Sequence, residues 1–184
     1  MVRSVAVAFA MRQLRRKDAY SPAAQARLEQ AWNDSLEISA ACFVIAKRFT
    51  RLNPDQALLT GLLHVLGRLY IIMRSKDTAE LTDSEMHEII DGWHANIGKA
   101  ILESWGLPEE LQHAIERQDE LAADFEGDVT LADVLVAAKL LTRNEQDGER
   151  FPALRRVGIA VVDGVNPMDG HADELRAVKA SLSE

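Results

Sequence analysis

The chain has one cysteine, few aromatic residues (5%) and fewer basic than acidic side chains, 21 against 29. Each shortage excludes something. Cys42 alone cannot build an internal disulfide framework, and its solitude fits a reducing cytoplasm. Scarce aromatics beside abundant Ala, Leu and Glu favour helix over sheet. A formal net charge of −8 argues against nucleic-acid binding, because phosphate contacts need clustered Lys and Arg. The one basic cluster, Arg12, Arg15, Arg16 and Lys17, sits where positive charge suits the last turn of a helix. No Gly-rich phosphate loop, GxSxG elbow, internal repeat or low-complexity tract appears. The apolar stretch at the start is too short to span a bilayer, and its charge follows it, unlike a secretory signal.

What is present reads as helix after helix. With 184 residues, 47% of them hydrophobic, the chain suits one domain over residues 1–184 with a substantial core. A long amphipathic helix runs from about Ala23 to Phe49, with Ile38, Cys42, Ile45, Ala46 and Phe49 at helical spacing. Asn53-Pro54-Asp55 starts a helix expected to continue to about Arg74. Thr82-x-x-Glu85 is a capping box for a short helix that Gly92 is expected to end, with another from His94 to Ser104. Gly106-Leu107-Pro108 separates that from the next helix, and "TLADVLVAAKLL" forms a strongly apolar one. Two weaker helices are expected around Ala153–Val162 and Met168–Leu182, within a C-terminal extension over residues 149–184.

The chemistry centres on "GLLHVLGRL", residues 61–69, where a histidine interrupts an apolar run and valine follows it. Binding two Lewis-acidic metals needs several His and carboxylate ligands from different helices. Candidates are Asp34, His64, His87, Asp91, His94, His113, Asp119 and Asp133. "HEIID" at 87–91 approaches the zinc-protease HExxH but has Asp91 in place of the second histidine. If Gly92 ends the helix there, His87, Asp91 and His94 do not share one face. Cys42 lies in an apolar stripe with nothing nearby to activate it. Gly61, Gly67 and Gly98 suit close helix packing. Simpler structural roles also exist: His64 as a core histidine with one hydrogen-bond partner, His94 bonding a neighbouring turn, Thr130-x-x-Asp133 as a cap, Asn33 and Asp34 as exposed residues of a polar face, and Trp32, Trp93 and Trp105 as packing anchors.

Four segments, "WNDSLEISAACFVIAKRF", "DQALLTGLLHVLGRLYI", "WHANIGKAILESWGLPEELQHAIERQDE" and "LADVLVAAKLL", resemble, in this order, the HDOD family, signalling relatives of the HD phosphohydrolases. "VRSVAVAFAMRQL" is similar to that family's mid-domain helix, so the likeness covers roughly residues 1–143 and lacks the family's N-terminal helices. The resemblance implies an all-α, HD-domain-like orthogonal bundle. Position by position, Asp34 stands for the first metal-binding histidine, and His64 keeps the histidine of the HD pair while Val65 replaces its aspartate. His94 matches a further histidine, Gln118 stands where a histidine often occurs, and Asp133 matches the last aspartate. Valine cannot coordinate, so the set implies a vestigial pocket with no catalytic residue, cofactor or expected metal; any ion would fall to His64, His94 and Asp133.

The favoured reading is a non-catalytic bacterial signalling module in the cytoplasm, working through protein–protein contacts. If the family's N-terminal helices are absent, the apolar face of a helix over residues 2–14 needs a cover, which points to self-association or a protein partner. The alternatives are a metal-dependent phosphohydrolase of nucleotides or cyclic dinucleotides, and a domain that senses a nucleotide without turnover. No membrane or nucleic-acid partner is expected.

Overall fold

The computed structural model describes residues 20–75 and 82–183, so the expected 2–14 helix lies outside the described residues. Helix α1, Pro22–Phe49, starts where the Ser21 hydroxyl accepts from Ala24 N–H and Pro22 supplies a preset φ. Its inner face buries Leu28, Trp32, Leu36, Cys42 and Ile45, and burial pushes the Cys42 thiol well above its usual range, as for an inert core residue. Asn53 caps α2, Pro54–Leu63, by accepting from the Asp55 and Gln56 N–H groups. Helix α3, Leu66–Arg74, follows after only two residues. The expected single helix from Pro54 to Arg74 is therefore two, broken at His64-Val65. Residues 54–74 are long and apolar enough to cross a membrane by composition, but most of that surface is buried inside this domain.

Helix α4 corrects a second expectation. It runs unbroken over Asp83–Ser104 from a complete Thr82–Glu85 capping box, with Gly92 inside it. A glycine costs a helix interior only about 1 kcal/mol, less than the caps and packing on either side supply. Helices α5, Glu109–Glu116, and α6, Leu131–Thr142, follow; every residue of α6 from Leu131 to Leu140 is buried. In the tail, α7 covers only Pro152–Arg156 and α8 covers Ala172–Ser183. Val162 and Val165 close a tight turn in place of the expected end of a helix, with Asp163 and Gly164 at positive φ. That isolated bridge is the sole β pairing among the described residues; the fold is all-α.

Helix α1 is the spine: α2, α3, α6 and α8 pack on it, α4 packs on α3, and α5 lies between α4 and α6. Glu174 ties α8 down by accepting from Lys47 at 2.7 Å and Arg48 at 2.8 Å. Trp32 is buried as expected, but Trp93 and Trp105 are 61% and 53% exposed and anchor no packing.

The glycines of "GLLHVLGRL" set how closely the helices approach. A Cβ on Gly61 would lie 2.4 Å from the Cα of Ser39 on α1. One on Gly67 would lie 1.9 Å from the carbonyl oxygen of His94 and 2.8 Å from the Gly98 nitrogen on α4. Backbone cannot yield as a flexible side chain does. Gly92, by contrast, has open space around it. Urea unfolding of Gly67→Ala is expected to show a loss of about 2–3 kcal/mol from overpacking, and Gly92→Ala a gain of up to about 1 kcal/mol from helix propensity. Equal effects of the two substitutions would contradict the contact at Gly67.

Candidate functional site at the helix break

The break between α2 and α3 has a side-chain cause. His64 Nδ1 lies 2.6 Å from the Gly61 carbonyl oxygen, so this nitrogen carries the proton and donates it. That carbonyl is the one an uninterrupted helix would offer to the Val65 N–H. The tautomer leaves His64 Nε2 with a lone pair. Burial first, and then the charge of Lys139, hold the imidazole far below its ordinary value, at about 3. His64 is a neutral, buried acceptor.

Around it lies a cavity of about 380 Å³. Asp34 and Glu37 of α1, His64 and Val65 at the break, Arg68 of α3, and His87, Asp91 and His94 of α4 line it. Gln118 and Asp119 enter from the turn after α5, and Lys139, Thr142 and Arg143 from the end of α6. Continuity of α4 through Gly92 is what brings His87, Asp91 and His94 onto one wall, at i, i+4 and i+7. The expectation that they would be separated is therefore corrected.

Of the residues singled out from the sequence, Asp34, His64, Val65, His94 and Gln118 meet here. Asp34 is only partly buried; burial raises its carboxyl, and Arg68 at 3.6 Å counteracts this weakly. Val65 is 2% exposed and packs in the core. Gln118 is buried, donates to the Ile115 carbonyl and accepts from Lys139. Asp133 does not line the cavity. Its carboxylate caps α6 with Thr130 and pairs with Arg156 at 2.6 Å. Lys139, six residues along the same helix, projects about 120° away from it, into the cavity. His113 is exposed on α5 and also lies outside the cavity.

The centre of the site is a group that sequence reasoning missed. Lys139 is almost wholly buried, and its ammonium lies 2.5 Å from Asp119 Oδ1. Asp119 Oδ2 accepts from His94 Nε2 at 2.7 Å. Burial alone would raise the Asp119 carboxyl, but the His94 hydrogen bond and the Lys139 charge outweigh it and hold it well below the carboxylate range. Burial lowers Lys139, and Asp119 works against that. The signal in the sequence was a lysine in "VLVAAKLL", a charge with no polar face to sit on.

A metal does not fit this arrangement. Val65 offers no donor, and both oxygens of Asp119 are committed, one to the Lys139 ammonium and one to His94. No group of three His, Cys, Asp or Glu among the described residues is disposed to hold an ion.

The comparisons agree with this architecture. The HDOD domain model matches residues 1–121. The chain belongs to the HDOD family. A solved protein of Shewanella amazonensis SB2B, provisionally named a metal-dependent phosphohydrolase, aligns with a TM-score of 0.76 at 24% identity, over 98% of this chain and 68% of its own. A protein of Marinobacter aquaeolei VT8, provisionally named a signal transduction protein, aligns with a TM-score of 0.54 at 20% identity, over 84% of this chain and 39% of its own. Such identities show a shared fold. No curated protein matches the chain. The HDOD match stops before α6, so Lys139 lies beyond it.

Because His64 is held neutral, unfolding takes up a proton wherever an unfolded histidine would be charged. Its folded value is depressed, so its contribution is full above about pH 6.5 and declines as pH falls toward 3. Between pH 6.5 and 5 the wild type is expected to lose about 1.5 kcal/mol more than His64→Gln, measured by urea unfolding at each pH. Parallel pH profiles would mean that His64 is not buried neutral.

Proposed function

We propose that this HDOD domain is a non-catalytic regulatory module of bacterial signal transduction, acting through protein contacts, with a cavity that holds no metal. The observation that carries this reading is Lys139: a buried ammonium bound to Asp119 supplies the positive charge that a metal would otherwise bring. Hydrolysis of the HD kind needs a metal to lower the pKa of water and polarise a phosphoryl oxygen. Here the bridging carboxylate is absent at Val65, and the Asp119 carboxylate is paired with a cation from within the chain. The exposed side of α4 supports a binding role, since Ile89 and Trp93 lie one turn apart there and Trp105 stands at its C-terminus, all solvent-accessible. The provisional name of the Marinobacter protein points the same way.

Elemental mass spectrometry after incubation with Mn²⁺, Fe²⁺ or Zn²⁺ and removal of free ion tests the reading. Well below one ion per chain is expected, with no hydrolysis of nucleotides or cyclic dinucleotides. Val65→Asp is expected to stay metal-poor while Lys139 is present. Near-stoichiometric metal that disappears in His64→Ala, accompanied by phosphohydrolase activity, would overturn it.

A further inference from the structure

Resting on the metal-free reading of this cavity, the geometry points to a binding site for the phosphate group of a small molecule of mononucleotide size, held by Arg68, Lys139 and Arg143. Three cationic side chains from α3 and the end of α6 line one cavity. They are close enough that the charges of Arg143 and Arg68 both oppose protonation of Lys139. Converging like charges carry an electrostatic cost that a bound anion relieves.

The chain itself satisfies these cations incompletely. Lys139 has Asp119, but Arg68 is 3.6 Å from Asp34, beyond good hydrogen-bond range, and its Nε is buried with no hydrogen-bond partner. Arg143, exposed at the C-terminal cap of α6, makes no ion pair among the described residues. A phosphate has enough acceptor oxygens to serve all three, and an arginine fork matches it well. The lone pair on His64 Nε2 offers an acceptor to a hydroxyl of the same ligand.

The carboxylates limit the class further. Asp34, Glu37 and Asp91 stand on the α1 and α4 walls. They disfavour a polyanion but accept hydrogen bonds from sugar hydroxyls or an exocyclic amine. At about 380 Å³ the cavity falls at the small end of ligand sites, suited to one nucleotide unit and too small to enclose a cyclic dinucleotide.

Isothermal titration calorimetry of the purified chain in EDTA, with inorganic phosphate and separately with AMP and GMP, tests this. Saturable binding is expected, with affinity reduced about tenfold or more in Arg143→Gln. That variant alters an exposed side chain and leaves the core intact. Lys139→Met, with its fold checked by circular dichroism, is expected to lose binding as well. Tighter binding of a mononucleotide than of phosphate assigns the site to a phosphate ester; equal affinity assigns it to free phosphate. Absence of saturable binding at millimolar ligand, or binding indifferent to Arg143→Gln, overturns the site while the metal-free reading stands. Binding that appears only with divalent metal overturns both.

Discussion

The close approach of α3 and α4 at Gly67 is the constraint on which the site depends. A Cβ there would collide with the His94 carbonyl and the Gly98 nitrogen, so the two backbones touch where a side chain would hold them apart. That contact places His94 across from His64 and Arg68, which lie within one turn of Gly67 on either side. Beside that contact, Gly98 leaves room for the Ile115 side chain of α5, whose Cγ2 would lie 2.8 Å from a Cβ there. The turn that carries Gln118 and Asp119 is thereby drawn into reach of His94. Two glycines, Gly67 and Gly98, thus set the spacing of the walls formed by α3, α4 and the turn after α5.

Within those walls, one buried charge organises the rest. An ammonium deprived of water is costly unless an anion meets it at short range and hydrogen bonds accompany the pair. Asp119 provides the anion, Gln118 provides a second acceptor, and His94 satisfies the other carboxylate oxygen. The same charge helps to keep His64 unprotonated, which leaves Nε2 with its lone pair while Nδ1–H donates to Gly61 at the break between α2 and α3. Core packing and polar network are therefore one system: substituting Lys139 alters the electrostatics of a histidine across the cavity.

Much of the fold was legible because its punctuation is local. Asn53, Thr82 and Thr130 cap helices as their side-chain chemistry predicts, and the three packing glycines do what small residues in apolar helices do. The errors came where local rules compete. Gly92 reads as a stop but is outweighed by the turns around it, whereas His64 reads as mid-helix but breaks the helix by bonding its own backbone. Trp93 and Trp105 look like core residues by type, and only their position on the outer side of α4 shows otherwise. The face that a residue presents depends on what packs beside its helix.

The site illustrates that limit most clearly. Position-by-position likeness to a metal centre draws attention to Val65, where such a centre has an aspartate, because a change of residue type at a fixed place can be read from sequence. It does not draw attention to Lys139. Asp133, expected from the resemblance at the last aspartate position, is spent on capping α6 and pairing with Arg156, while Lys139, six residues on, turns into the cavity. Asp119, only one candidate among several in the sequence, becomes the central carboxylate because it is the one the ammonium meets. The ion pair at the centre of the cavity therefore emerges only once the turn after α5 and the end of α6 are brought together. The lining mixes Arg68, Lys139 and Arg143 with Asp34, Glu37, Asp91 and Asp119, and how these charges pair is decided by packing rather than by any local pattern in the chain.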